Sequence, residues 1–216
     1  DLDAAVVGAM ASKYRNAGQT CVCANRFLVQ RGVQDAFAEK LARAVNKLQV
    51  GNGLDAGVEI GPLINTQALR DVDSLVQDAL AAGAELVVGG GPHTLGGLFY
   101  QPTILKNVTN TMPIAANEIF GPVAPLITFD PEAEGIALAN DTRAGLAAYF
   151  YARDVGRIWR VAEGLEYGMV GINEGIISNA AAPFGGVKES GLGREGSRHG
   201  MDEYLEIKYL CFGGVQ

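Results

Sequence analysis

The stretch Tyr14-Arg15-Asn16-Ala17-Gly18-Gln19-Thr20-Cys21-Val22-Cys23-Ala24-Asn25-Arg26 connects a helical pattern of apolar residues to a run rich in β-forming residues. Residues 2–15 carry apolar side chains at helical spacing, and residues 26–30 are typical of a short strand. We expect Gly18 to end the helix, because glycine adopts the left-handed backbone that often follows a helix C-terminus. Cys21 follows this turn, where a thiol can be exposed and held as a nucleophile.

The rest of the chain repeats this alternation of helix and strand. The pattern predicts further helices over 33–48, 66–80, 131–140 and 155–165, a buried strand over 84–88, and strands over 99–105, 123–129, 147–152 and 169–173. Thr66 is interpreted as an N-cap, and Asp130-Pro131 as a cap with a first-turn proline. The alternation predicts an α/β fold with a mostly parallel twisted sheet and helices on both faces. Ligands of such sheets bind beyond the carboxyl ends of the strands.

Composition excludes several classes of protein. The chain has 216 residues, 48% of them hydrophobic, which is enough to bury a substantial core and is unlike a disordered segment. No apolar run approaches the roughly 18 residues that a membrane span needs. A net charge of −7 argues against a nucleic-acid surface, which requires a basic stripe. We therefore expect neither a membrane nor a nucleic acid as partner.

The three cysteines do not form a disulfide framework, since their number is odd and the chain is long. This favours a reducing compartment, the cytoplasm of a bacterium or alternatively the mitochondrial matrix. We predict no metal site, because His93 and His199 lie far apart and the spacing of Cys21 and Cys23 is too short for zinc. The chain begins with Asp1 rather than methionine, which indicates a processed piece of a longer polypeptide.

Three segments, in this order, carry a resemblance to the aldehyde dehydrogenase superfamily. They are Asn16-Ala17-Gly18-Gln19-Thr20-Cys21, Glu118-Ile119-Phe120-Gly121-Pro122-Val123 and Pro183-Phe184-Gly185-Gly186-Val187-Lys188-Glu189-Ser190-Gly191. Further segments resemble its succinate-semialdehyde dehydrogenase subfamily: Tyr14 to Cys23, Gly175-Ile176-Ile177-Ser178, Gly191-Leu192-Gly193-Arg194-Glu195-Gly196-Ser197 and Asp202 to Tyr209. The resemblance extends over nearly the whole chain.

The resemblance implies an NAD- or NADP-dependent oxidation of an aldehyde, and it assigns the nucleophile to Cys21. Its thiolate adds to the carbonyl, a hydride leaves to the nicotinamide, and water cleaves the resulting thioester. The backbone N–H of Cys21 is expected to contribute to the oxyanion hole. Without the resemblance, a lone cysteine is more often a small buried hydrophobic residue.

Other residues receive their roles from the same resemblance. Glu118 matches a glutamate that binds the ribose hydroxyls on the nicotinamide side, and Phe120 packs beside the nicotinamide. Phe184 matches an aromatic residue at the substrate entrance. The alternative for Glu118 is a surface glutamate or one that caps a helix. The alternative for Phe120 and Phe184 is an ordinary position in the hydrophobic core.

The predicted substrate carries a carboxylate at the end distant from its aldehyde. Arg15 is placed to bind this carboxylate through its guanidinium, and Ser178 adds a hydroxyl donor from the opposite side. A surface ion pair is the alternative for Arg15. Cys23 is either a partner for a reversible disulfide with Cys21 or a small core residue at the start of the strand.

The resemblance divides the chain into a catalytic domain, residues 1–203, and a C-terminal oligomerisation strand, residues 204–216. A homo-oligomer, dimer or tetramer, is implied for the full-length protein. The family's general-base glutamate, its glycine-rich cofactor unit and its oxyanion-hole asparagine belong before Asp1, so we expect the 216-residue chain by itself to be inactive. Glutarate semialdehyde as substrate, or a non-catalytic role in assembly or regulation, remain the alternatives.

Overall fold

The structure is a computed structural model that describes residues 1–214. Its helices are α1 (Leu2–Lys13), α2 (Gln34–Val45), α3 (Thr66–Ala81), α4 (Pro113–Ala116), α5 (Glu132–Asn140) and α6 (Val155–Gly164). Its strands are β1 (Phe27–Gln30), β2 (Glu85–Val88), β3 (Thr103–Val108), β4 (Val123–Phe129), β5 (Ala147–Phe150) and β6 (Met169–Ile172). Among residues 1–214, no helix combines the length and apolar character needed to cross a membrane.

The strands form two sheets. The larger has the order β1-β4-β3-β2, in which β4 pairs in parallel with both β1 and β3, and β2 is antiparallel to β3. The smaller is the parallel pair β5-β6. The prediction of an α/β fold with a mostly parallel sheet is confirmed.

Alternating side chains of β4 build the core on both faces of the larger sheet. Val123 and Ile127 pack in the cluster that includes residues of α3, whereas Ala124 and Leu126 pack with residues of α1 and α2. Because successive side chains of a strand point to opposite faces, one central strand fills two hydrophobic clusters. Helices therefore cover both faces, as predicted.

A groove of about 840 Å³ lies between the two sheets. The whole of β1 lines it on one side and the whole of β5 on the other, together with apolar residues of α1 and α5. The groove also reaches the loop that follows α1, where the candidate site lies.

Four local predictions are wrong in detail. The first helix ends at Lys13, so Gly18 does not cap it, and Asn65 rather than Thr66 is the N-cap of α3. The side chain of Asp130 binds Arg31 instead of capping α5. The side chain of Asn65 accepts from the N–H of Ala68, whereas no side chain caps α5, because Pro131 takes the N-cap position and Asp130 lies one residue before it. Strand β2 is partly exposed rather than buried, because it is an edge strand.

The C-terminal run differs most from its prediction. Residues 205–214 form no strand or helix within the described chain. Their large apolar side chains are exposed: Leu205, Ile207, Tyr209, Leu210 and Phe212. Residues 215 and 216 of the predicted strand lie outside the described residues. The oligomerisation role of this segment stays a prediction.

Candidate active site

The cysteine loop, residues 14–25, is held at its start by Tyr14. This side chain is buried, and its hydroxyl donates to the carbonyl oxygen of Thr103 on β3 at 3.0 Å. The backbone then turns through three successive residues with positive φ, Asn16 at 53°, Ala17 at 55° and Gly18 at 76°. The left-handed region is costly for residues with a Cβ, so surrounding contacts must impose this turn at Asn16 and Ala17.

Cys21 occupies the corner of a tight turn. The N–H of Cys23 donates to the carbonyl oxygen of Thr20 at 3.0 Å, which places Cys21 second in the turn from Thr20 to Cys23. Cys21 is exposed, whereas Cys23 is partly buried. The Sγ of Cys23 lies 2.8 Å from the hydroxyl of Thr20 and donates to the carbonyl oxygen of Arg15 at 3.8 Å. Of the two thiol-bearing residues, Cys21 is the more exposed.

Gly18 brings the second sequence motif against the cysteine loop. A Cβ built on Gly18 would lie 2.1 Å from the carbonyl oxygen of Gly121 and 3.1 Å from the nitrogen of Pro122. Only glycine permits this approach of the two backbones. The segment that contains Glu118 and Phe120 is therefore a direct neighbour of the loop that carries Cys21.

Asn25 fixes the residues on either side of Glu118. Its amide donates to the carbonyl oxygen of Asn117 at 2.8 Å, and its amide oxygen accepts from the N–H of Ile119 at 2.9 Å. Glu118 itself is exposed. Sequence reasoning missed Asn25, since its partners lie more than 90 residues away. The only signal in the sequence was an asparagine within the quoted stretch.

The groove gathers some of the predicted residues and leaves others apart. Cys21, Cys23 and Glu118 line it together. Ser178 instead lines a second pocket, of about 460 Å³, with residues of β6. Phe184 is partly buried and pairs through its backbone with Glu195, at 2.8 Å in both directions. The roles of Ser178 and Phe184 stay predictions.

Three further observations concern the side chains of the site. The residue Arg15 is partly buried, and no carboxylate of residues 1–214 forms an ion pair with its guanidinium. The surface ion pair that was the alternative interpretation of Arg15 is thus absent from the described chain. Phe120 is 41% exposed and has a φ of 50°. Among residues 1–214, no cluster of three or more histidine, cysteine or acidic side chains is arranged to bind a metal.

Lys13, the last residue of α1, is only 1% exposed. Burial lowers the pKa of its ammonium group to about 8, although the nearby Cys23 and Glu118 act in the opposite direction. The charged form is therefore disfavoured in the folded state, and the unfolded chain keeps the proton up to the ordinary value of 10.5. Since the unfolded state binds more protons between these values, stability must rise with pH across this window.

Replacement of Lys13 by methionine tests whether this residue makes stability depend on pH. For the native chain we expect the free energy of unfolding to increase by about 2 kcal/mol between about pH 7 and about pH 9.5. The Lys13→Met variant, which has a similar volume and no charge, should be more stable near pH 7 and should lack this increase. Urea denaturation at both pH values measures the difference. A parallel rise in the two proteins would show that other groups cause it.

The comparisons with known proteins agree with one another on the family. The model of the aldehyde dehydrogenase family matches residues 1–210. The chain is 62% identical over 215 residues to the glutarate-semialdehyde dehydrogenase of Pseudomonas aeruginosa, covering 100% of the chain and 44% of that protein. It is also 62% identical over 213 residues to the NADP(+) succinate-semialdehyde dehydrogenase of Escherichia coli, with 99% and 44% covered.

A solved structure supports the same relationship. The crystal structure of succinate-semialdehyde dehydrogenase from Burkholderia pseudomallei matches with a TM-score of 0.97 and 63% sequence identity. The match covers 98% of this chain and 44% of that one. The chain thus spans less than half the length of the relatives it matches.

Proposed function

Because the chain belongs to the aldehyde dehydrogenase family, we propose that it is the catalytic part of an NAD- or NADP-dependent oxidoreductase that converts succinate semialdehyde to succinate. The observation that carries the proposal is the position of Cys21, exposed at the corner of a constrained turn and lining one groove with Glu118. A free thiol and a free carboxylate on one cavity suit a nucleophile and a cofactor contact. Free thiols also fit a reducing compartment such as the cytoplasm.

The chemistry begins at the Sγ of Cys21. Its thiolate attacks the aldehyde carbon and forms a thiohemiacetal, whose oxyanion lies close to the backbone N–H of Cys21. Loss of hydride from the former aldehyde carbon gives a thioester on Cys21. Water then cleaves the carbon–sulfur bond, releasing the carboxylic acid and the thiol. Sulfur suits both halves of this sequence, because a thiolate is a good nucleophile and a good leaving group.

The nicotinamide, when bound, accepts the hydride. The residues present fit such a cofactor, because the exposed carboxylate of Glu118 can accept hydrogen bonds from both hydroxyls of a ribose. Asn25 holds the backbone on both sides of Glu118, which keeps that carboxylate beside the groove. Phe120 offers an exposed aromatic ring two residues further on.

The substrate class rests on Arg15. A partly buried arginine whose guanidinium has no carboxylate partner in the described chain is suited to bind an anion, and a carboxylate matches its two parallel N–H donors. Succinate and glutarate semialdehydes both present such a group at the end distant from the aldehyde. They differ by one methylene, which is worth only about 1–3 kcal/mol of discrimination. Glutarate semialdehyde is therefore the second candidate.

Arg15→Ala, made in the polypeptide that the whole reading frame encodes, tests the substrate proposal. We expect the KM for succinate semialdehyde to rise by about ten-fold to a hundred-fold, because the carboxylate loses a charged hydrogen-bond partner. The KM for propanal, which has no carboxylate, should change by less than about two-fold. Steady-state kinetics with both aldehydes decide between these outcomes.

A matched control uses Arg43, an exposed residue of α2 that pairs with Glu39 on the same helix. Arg43→Ala should leave both KM values unchanged. If Arg15→Ala raised the two KM values equally, Arg15 would act on the structure of the site and not on the carboxylate.

We further propose that Cys21 and Cys23 form a reversible disulfide under oxidation. Peroxide would oxidise the two thiols to one sulfur–sulfur bond and would itself be reduced to two molecules of water. The turn must open first, because the Sγ of Cys23 faces Thr20 and the carbonyl of Arg15. Mass spectrometry after peroxide treatment should show the loss of two hydrogens within the peptide that contains both cysteines. Sulfinic or sulfonic acids as the sole products would rule the disulfide out.

A further inference from the structure

A tyrosine from the other sheet contacts the cysteine loop. The hydroxyl of Tyr149, on β5, donates to the carbonyl oxygen of Val22 at 2.8 Å, across 127 residues of sequence. Val22 is buried and lies between Cys21 and Cys23. No other side-chain hydrogen bond within residues 1–214 joins β5 to the cysteine loop.

This hydrogen bond completes a clamp on one peptide group. The N–H of the Val22–Cys23 peptide donates to the carbonyl oxygen of Thr20 at 3.0 Å, and the C=O of the same peptide accepts from Tyr149. Both polar ends of the peptide are therefore fixed. This peptide lies one residue beyond Cys21 and closes the turn in which Cys21 is the second residue, so fixing it restrains the backbone that carries Cys21 and its Sγ.

The environment of Tyr149 keeps its hydroxyl protonated, so that it can donate a hydrogen bond. Burial raises the pKa of its hydroxyl to about 12, although the nearby Arg15 acts to lower it. The group is thus neutral and keeps its proton under ordinary conditions. Its ring lies over Gly171, the residue paired with it on β6, and a Cβ built on Gly171 would lie only 2.8 Å from the ring. The pairing of a tyrosine with a glycine leaves room for the ring that reaches Val22.

We propose that Tyr149 is a positioning residue, whose hydroxyl holds the carbonyl of Val22 and thereby aims the thiol of Cys21 into the groove. Tyr149 touches neither the reacting carbon nor the sulfur and acts through the turn. Its importance for turnover rests on the proposed function of Cys21. Its effect on the exposure and aim of the thiol does not.

Tyr149→Phe tests the proposal, because it removes the hydroxyl and keeps the ring. In the 216-residue chain we expect alkylation of Cys21 by iodoacetamide, followed by peptide mass spectrometry, to slow by about five-fold to ten-fold. Alkylation of the exposed Cys211 in the same sample should proceed unchanged. Tyr151→Phe is the matched control, since Tyr151 lies two residues away and packs its hydroxyl against Gly8 of α1.

Gly171→Ala provides a second variant with the hydroxyl retained. The added methyl group would lie 2.8 Å from the ring of Tyr149 and 2.9 Å from both the carbonyl oxygen of Glu174 and a methyl group of Ile177, so it should shift the ring and slow the alkylation of Cys21. In the polypeptide of the whole reading frame, Tyr149→Phe should lower kcat for aldehyde oxidation by about ten-fold and leave KM nearly unchanged. Equal alkylation rates for Tyr149→Phe and Tyr151→Phe would overturn the proposal. Slower alkylation in an enzyme that oxidises no aldehyde would instead overturn the proposed function and leave the positioning role intact.

Discussion

Cys21→Ser is expected to lower kcat for aldehyde oxidation by about a thousand-fold or more in the polypeptide of the whole reading frame. A serine hydroxyl needs a strong base to become a nucleophile, and both histidines of the chain lie far from Cys21 in sequence. An alkoxide is also a poorer leaving group than a thiolate, so hydrolysis of the ester would be slower. Because Cys21 is exposed, the substitution should leave the free energy of unfolding nearly unchanged.

Cys23→Ser is the matched control for this experiment. Cys23 is partly buried beside Thr20, so its replacement alters packing within the turn without removing the accessible thiol. We expect the variant to keep at least about a tenth of the activity. Steady-state assays and urea denaturation of both variants give the comparison. A greater loss of turnover in Cys23→Ser than in Cys21→Ser would contradict the assignment of the nucleophile to Cys21.

Gly18→Ala is expected to destabilise the protein by about 3–5 kcal/mol. Two effects add: an alanine at a φ of +76° is strained, and its Cβ would lie 2.1 Å from the carbonyl oxygen of Gly121. To relieve this clash the segment of Glu118 must move away from the cysteine loop. The affinity for NAD or NADP should therefore fall together with stability, even though Gly18 touches neither.

Gly57→Ala separates the cost of backbone strain from the cost of the steric clash. Gly57 has a similar φ of +82°, but a Cβ built on it meets nothing within 4 Å. It should therefore cost only the strain, about 1 kcal/mol. Urea denaturation of the two variants isolates the contribution of the contact with Gly121. Equal costs at the two positions would mean that the segments of Gly18 and Gly121 separate without penalty.

Local sequence patterns were sufficient to predict most of the helices and strands. The strand predicted over 123–129 is β4 with the same bounds, and the helix predicted over 155–165 differs from α6 by one residue. These elements follow from side-chain periodicity and turn residues, which neighbouring positions in the chain provide. Capping was predicted less well, since Asn65 and Thr66 can both cap a helix and only the backbone geometry selects between them.

Local sequence patterns did not predict the long-range contacts of the candidate site. The motifs around Cys21 and Glu118 were recognisable in the sequence, but their contact depends on Gly18 meeting Gly121 across about a hundred residues. Asn25 and Tyr149 hold the site through hydrogen bonds to partners 92 and 127 residues distant. Neither residue belongs to a local pattern that would have revealed the partner.

The sequence by itself thus determined the alternation of helices and strands and the resemblance to the family, and it supplied the prediction that Cys21 is the nucleophile. Tertiary structure alone decided that Asn16 and Ala17 adopt left-handed backbone, that β2 is a partly exposed edge, and that Ser178 lies in a pocket apart from Cys21. The physical reason is the range of the interactions. Periodicity and turn preference act between near neighbours in the chain, whereas strained turns, sheet edges and shared cavities are set by contacts between residues that only folding brings together.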